Sequence, residues 1–256
     1  MAIVLWCVLH CISPVISKLI LSYFDDNVPY DRLLQIHVSR LPARYIPGGI
    51  WHTVGRVSDL HFYGLKKKQL SFLVIAESIF PCLMTFLMGG GYLWCTFKQG
   101  YIHIIAGISA FVSIILLVAL PIFLQNKTYQ SGKVFKLITY FQVICVTAIF
   151  WIIASGSFLL YVMSFSIITV DTSYLQIAAI YIFSWGIGYL AIFAPQGIGV
   201  FEVVAGKALT LPLNLGGAVA FIAGFRIVVF LADITVWILL ILSSMVKRKY
   251  FQPPRT

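Results

Sequence analysis

Three stretches of this chain, 101–126, 137–170 and 172–201, contain no Asp, Glu, Lys or Arg. That feature excludes most folds. A bilayer core about 30 Å thick is crossed by roughly 20 helical residues rising about 1.5 Å each, and each of the three runs is longer than that. In hydrocarbon the backbone must satisfy its own hydrogen bonds, which leaves helices or closed barrels. The runs show no alternation of apolar and polar residues, so they encode helices. The competing reading is a buried helix in a large soluble core, and it needs a polar shell. Of 256 residues, 61% are hydrophobic and 10% charged, against about 25% charged in a soluble domain. The chain cannot build that shell.

The same hydropathy logic places helices at 2–23, 68–92, 101–124, 135–165, 172–193 and 215–246. The fold class is therefore all-α, a polytopic integral membrane protein with about six full spans in one domain over 1–256. The helices at 135–165 and 215–246 exceed one crossing, so tilt, breaks or ends in water are expected. The first helix lacks a basic leading region and a small-residue cleavage site before Asp25, so it reads as a retained helix rather than a secretory signal. The five cysteines, Cys7, Cys11, Cys82, Cys95 and Cys145, form no CxxC and no metal spacing, and read as small core residues. No cofactor or metal is expected. HExxH, GxSxG and P-loop patterns do not occur.

The formal charge of +10 does not indicate nucleic acid. The basic residues stand at helix ends, at Lys66-Lys67-Lys68, Lys127, Lys133, Lys136 and Lys247-Arg248-Lys249, where they anchor to anionic lipid. Six spans put 25–67, 125–134 and 194–214 on one side, with most of the basic loops, and the basic C-terminal tail on the other. Counting 29–46 as a further crossing moves the other basic loops relative to that tail. Loop charge is compatible with both topologies.

The membrane pattern breaks twice. In the first break Pro47-Gly48-Gly49 stops a helix, because Pro lacks a donor and the glycines admit positive φ. Residues 50–60 then restart as a short helix carrying Trp51, His52, Arg56 and Asp59, with Asp59 a local partner for Arg56. The second break is Pro195-Gln196-Gly197-Ile198-Gly199, followed by a segment through Glu202 that is too short to cross and ends near Pro212. Both segments are expected to enter the membrane without crossing it. At an offset of 148, Ala43, Pro47, Gly49 and Ile50 match Ala191, Pro195, Gly197 and Ile198, and Gly64 falls opposite Pro212. A full helix follows each break with a deep charge, Glu77 in one and Arg226 in the other. Paired Pro/Gly interruptions in two halves, here about 25–124 and 172–246, are the sequence mark of a transporter-type site at a repeat interface.

Each deep charge costs about 2.5–3.5 kcal/mol on insertion scales and must face a partner or a wet cavity. Arg226 has two candidate partners, Glu77 and Glu202. Such a cluster can be a structural ion pair alone, or can also line a path for a headgroup. Asp233 lies seven residues after Arg226 on the same face and reads as a structural partner. Of the histidines, only His52, beside Trp51, stands out, and a lone histidine is most often a hydrogen-bonded structural residue.

The segments Arg44-Tyr45-Ile46-Pro47-Gly48-Gly49-Ile50-Trp51-His52-Thr53-Val54-Gly55-Arg56 and Pro195-Gln196-Gly197-Ile198-Gly199-Val200-Phe201-Glu202 resemble the flippase-like family related to the transmembrane region of lysylphosphatidylglycerol synthases. That family has a Pro-Gly-Gly segment followed by an Arg, and then a helix with a Glu. A Pro-x-Gly-x-Gly-x-x-Glu segment and a last helix with an Arg come near its end. The counterparts here are Pro47, Gly48, Gly49, Arg56, Glu77, Pro195, Gly197, Gly199, Glu202 and Arg226, and the resemblance spans nearly the whole chain. The chain departs from the family at Ser78, Gln196 and Phe201, and lacks a helix that usually precedes the counterpart of 2–23. Trp51-His52 followed by Gly55-Arg56 is similar to a branch associated with bacterial surface-polysaccharide loci.

The resemblance implies a multi-pass protein of the bacterial inner membrane that translocates, or helps translocate, a lipid with a polar or anionic headgroup, such as a glycolipid. Its partners would be membrane lipids and that lipid-linked substrate, with room for a homo-oligomer or glycan-assembly partners. The substrate-binding set it implies is Pro47, Gly48, Gly49, Trp51, His52, Arg56, Glu77, Pro195, Gly197, Gly199, Glu202 and Arg226. The arginines would attract phosphate, the carboxylates would orient them, and the breaks would offer free backbone groups. Two other classes compete: a membrane glycosyl- or acyltransferase, which needs a nucleophile or paired acids that the sequence does not display, and a non-transporting scaffold of a glycan-assembly complex.

Overall fold

The computed structural model describes residues 1–24, 28–46, 50–129, 137–165, 173–191, 194, 197–209 and 212–250, and every regular element among them is helical. In chain order these are α1 (Ala2–Ser22), α2 (Tyr30–Ser39), a 3-10 turn (Leu41–Tyr45), α3 (Trp51–Phe62), α4 (Lys67–Thr85), a π-helical turn (Phe86–Gly90), α5 (Gly91–Thr96), α6 (Tyr101–Tyr129), α7 (Leu137–Met163), α8 (Tyr174–Leu190), α9 (Val200–Ala208) and α10 (Leu215–Tyr250).

Five helical stretches are long and apolar enough to cross a membrane: α1, the continuous run Lys67–Thr96, α6, α7 and α10. The sixth expected span, α8, is apolar but has 17 residues, about 26 Å at 1.5 Å per residue. Neither α7 nor α10 is interrupted, so the breaks considered over 135–165 and 215–246 do not occur within these helices. The extra crossing considered over 29–46 is not one helix. α2 ends at Ser39, and the chain tightens into the 3-10 turn with Pro42 inside it, as a ring lacking an N–H favours near a helix start.

α1 sits at the centre. Its buried face, Trp6, Leu9, His10, Pro14, Ile16, Ser17, Ile20 and Leu21, follows helical spacing and packs along α7, α10, α2 and α4. α7 answers with Tyr140, Val143, Thr147, Trp151, Ala154, Phe158 and Val162, a three-and-four spacing that makes one stripe. α6 presents Ile104, Ile105, Ile108, Phe111, Val112, Ile115 and Val118 outward. An apolar face of that extent is stable against lipid and not against water.

Local signals set the ends of the elements near the breaks. α3 closes with Gly64 at φ 110, where Leu65 N–H bonds Leu60 O at 3.1 Å and Gly64 N–H bonds His61 O at 2.9 Å. That is a Schellman cap, with Leu60 and Leu65 both in the core. α9 starts after Gly199 at φ 87. Asn214 Oδ1 accepts Gly217 N–H at 2.7 Å to start α10.

Candidate functional site

α3 has 12 residues and α9 has nine, so they rise about 18 Å and 14 Å, each well short of a 30 Å core. Each sets one charged side chain against the long helix that follows it. Arg56 on α3 grips Glu77 on α4 with both terminal nitrogens, Nη1 to Oε2 at 3.1 Å and Nη2 to Oε1 at 2.9 Å. Glu202 on α9 takes Arg226 of α10 on Oε1, and its Oε2 accepts the Gly199 N–H at 2.7 Å. The two constructions mirror each other with the charges exchanged: the cation lies on the short helix in the first and on the long helix in the second.

These pairs are buried but not sealed. Side-chain exposure is 14% for Arg56, 18% for Glu77 and 29% for Arg226, against 3% for Glu202. Glu202 is therefore a fixed structural anion, which also binds the first turn of its own helix. Arg226 reaches outward over the Phe201 ring, 5.8 Å from its centroid. The choice left open for Arg226 resolves to Glu202.

Two local expectations are corrected. Asp59 does not partner Arg56. It takes Arg40 in a two-pronged bond of 2.7 and 2.6 Å, because the Arg40 side chain crosses Gly55, where a Cβ would stand 2.9 Å from Arg40 Cδ. Arg56, one residue beyond, turns inward to Glu77 and to Ser17 Oγ of α1 at 3.1 Å. Ser17 also donates to Glu77. Asp233 is likewise not bound to Arg226. Its fully buried carboxylate accepts Tyr45 OH at 2.9 Å and Arg44 Nη1 at 3.2 Å, and its other oxygen lies 2.9 Å from His10 Nε2.

His52 is not alone. His10 Nδ1 and His37 Nε2 are 3.3 Å apart, and the His37 and His52 rings meet edge to face at 5.6 Å. Burial, reinforced by nearby Arg56, pulls the His37 imidazole well below its ordinary range; burial and Arg44 bring His52 to about 2. His10, His37 and Ser17 carried no role in the sequence reading. The signal was there for two of them: His10 and Ser17 are a heptad apart on one face of an otherwise apolar helix. Arg44 and Tyr45 stood inside the first motif without a role of their own.

Of the remaining residues in the expected set, Trp51 opens α3 and is half-exposed. Gly197, at φ 66, lies against α8, where an added Cβ would stand 2.7 Å from Gly188 O. Pro47, Gly48, Gly49 and Pro195 lie outside the described residues. The structure thus brings Arg56 to Glu77 and Arg226 to Glu202, with the Asp233 cluster at the junction of α1, α2, α10 and the 3-10 turn. Against protein-family models and curated proteins the chain finds no match.

Proposed function

We propose that the chain translocates, or assists the translocation of, a membrane lipid with a polar or anionic headgroup, through a path lined by the two crossed arginine–carboxylate pairs. The observation that carries the reading is the repeated construction: a short helix after a Pro/Gly break, tied by one ion pair to the next long helix. Charged groups at depth are costly, and where they persist they mark pathways more often than packing. Here both guanidinium groups keep some exposure, so each can bind a phosphate oxygen while its carboxylate holds its position. On this reading α3 and α9 enter the membrane without crossing it, and the halves around them are pseudo-repeats. The flippase-like family related to the lysylphosphatidylglycerol synthase transmembrane region is the family proposed, and the bacterial inner membrane the proposed location.

The test is flipping of a fluorescent phosphatidylglycerol in vesicles holding the reconstituted chain, normalised to folded protein. Arg56→Lys keeps the charge beside Glu77 and removes the planar fork. The expected result is at least tenfold slower translocation per folded molecule with yield nearly unchanged. Wild-type vesicles that flip no faster than protein-free ones would sink the reading for this lipid class, and so would an unaltered rate in the variant.

A further inference from the structure

His10, His37, His52 and Asp233 gather in one place: His10 Nε2 and Asp233 Oδ1 lie 2.9 Å apart, and His37 Nδ1 and His52 Nε2 are buried without a hydrogen-bond partner. The four residues are 3%, 2%, 8% and 0% exposed. Buried polar capacity left unfilled is costly and uncommon. Here it surrounds three imidazoles and one carboxylate, on α1, α2, α3 and α10.

Proton positions follow from the contacts. One proton lies between His10 Nδ1 and His37 Nε2, 3.3 Å apart. His10 Nε2 stands 2.9 Å from Asp233 Oδ1, a close pair in distance but not aligned as a hydrogen bond. The carboxylate favours a proton on His10 Nε2, so in the neutral ring Nδ1 is the acceptor and His37 Nε2–H donates to it. This leaves His37 Nδ1 bare and buried, with no donor facing it. The His52 ring meets the His37 ring edge to face at 5.6 Å and flanks it without satisfying that nitrogen.

We propose that His10, His37 and Asp233 form a buried proton-binding relay, taken up at His37 Nδ1 and ending on His10. In the loading step an N–H bond forms at His37 Nδ1 as an O–H bond of hydronium breaks and leaves neutral water. The His37 Nε2–H bond breaks, and its proton forms a bond to His10 Nδ1. One proton has been added, His37 is neutral in its other tautomer, and the positive charge rests on His10 against Asp233. No oxidant or further reactant is involved.

The charged and titratable surroundings agree with that end point. Burial first, and then Arg56 on α3, disfavour a cation on His37, and burial with Arg44 and Arg56 disfavours one on His52. Among the described residues, His10 is the one of the three with a carboxylate beside it. Around it, α1 contributes Cys7, whose Sγ bonds Ala232 O, and Cys11, whose carbonyl accepts Tyr30 OH from α2. α4 contributes Glu77, already engaged by Arg56 and Ser17. α7 carries no charged residue, and its Tyr140 and Tyr161 donate to the Leu117 and Phe221 carbonyls. α10 supplies Asp233, with Arg226 held by Glu202.

Loading sets two cations, His10 and Arg44, on one carboxylate. It therefore weakens the hold of Asp233 on Arg44, in the 3-10 turn that leads into the first break. Proton binding stands on this geometry alone. Its coupling to headgroup movement rests on the reading proposed above.

The test follows the imidazole nitrogens of the full-length, 15N-histidine-labelled chain in lipid nanodiscs from pH 8 to pH 4.5, assigned by single His→Gln variants. The readout is ring protonation and not lipid movement, so failure of the relay and failure of the translocation reading are told apart. At pH 8 both His10 and His37 are expected to carry the proton on Nε2. On acidification both rings should change together, with His37 moving its proton to Nδ1 and His10 becoming the cation. Asp233→Asn is expected to abolish the coupled change of the two rings, since it removes the one carboxylate among the described residues that faces His10. In His37→Gln the titration of His10 should shift or vanish. Wild-type rings that keep one tautomer across the range overturn the proposal without any variant having to fold. An unchanged His10 midpoint in His37→Gln overturns the relay as well.

Discussion

Glu202 shows how much one buried side chain can hold at once. Its two oxygens serve different masters, the Gly199 amide at the head of α9 and the Arg226 guanidinium across on α10. Removing Arg226 leaves a carboxylate at 3% exposure with no counter-charge among the described residues, and breaking a buried pair from one side costs about 3–5 kcal/mol. Arg40 and Asp59 form an equally close pair, but at 44% and 24% exposure, where such pairs are worth about 0–1 kcal/mol. Arg226→Leu should therefore lose most of its folded yield in mild detergent, and Arg40→Leu should stay near wild type. Equal losses, read by size-exclusion chromatography, would count against burial of the first pair. The need for partners was legible in the sequence, because a charge in an apolar run has to have one. The identity of the partner was not. Asp59 was the nearest acid to Arg56 along the chain, yet Glu77 is nearer in space, because Gly55 lets Arg40 reach Asp59 first.

At the scale of elements, both short helices and most spans were visible as hydropathy runs and Pro/Gly punctuation, while close helix contacts were not. The turn Phe86–Gly90 widens to π-helical form where α8 presses against it. An added Cβ at Gly89 would stand 2.6 Å from Phe183 N and 2.8 Å from Ala179 O, whereas the neighbouring Gly91 faces open space. Two glycines two residues apart thus do opposite things. Gly89→Ala meets backbone that cannot rotate away, so α8 must retreat along its length. We expect a fall of several degrees in the thermal midpoint of the detergent-solubilised chain. Gly91→Ala removes only backbone freedom inside a helix and should be neutral or stabilise by about 0.5–1 kcal/mol. If both variants melt together, the close packing of α8 on this turn is wrong. A run such as Met88-Gly89-Gly90-Gly91 announces small residues, but not which of them faces a neighbour, since that depends on a crossing set by distant sequence.

Across the whole molecule the two short helices are each tied by an ion pair to the long helix that follows, with the charges exchanged. The offset matches at Ala43, Pro47, Gly49 and Ile50 suggested equivalent breaks, and the ion pairs fit that equivalence with their signs reversed. Reversal has a consequence that charge swapping can measure. Glu77 and Arg56 both lie inside their helices, so Arg56→Glu with Glu77→Arg exchanges two groups of similar reach, and Ser17 Oγ can accept from the transplanted guanidinium as readily as it donates to the present carboxylate. Glu202 sits in the first turn of α9, where the unsatisfied N–H groups and the positive end of the helix dipole favour an anion. Glu202→Arg with Arg226→Glu preserves the pair yet puts a cation at that end and strips Gly199 of its acceptor. The first double variant should therefore recover most of the folded yield lost by Arg56→Glu alone. The second should recover little of what Glu202→Arg loses. Equal recovery in both would mean that the pair alone stabilises each half, and that the Gly199 bond to Glu202 contributes nothing to holding α9 in place.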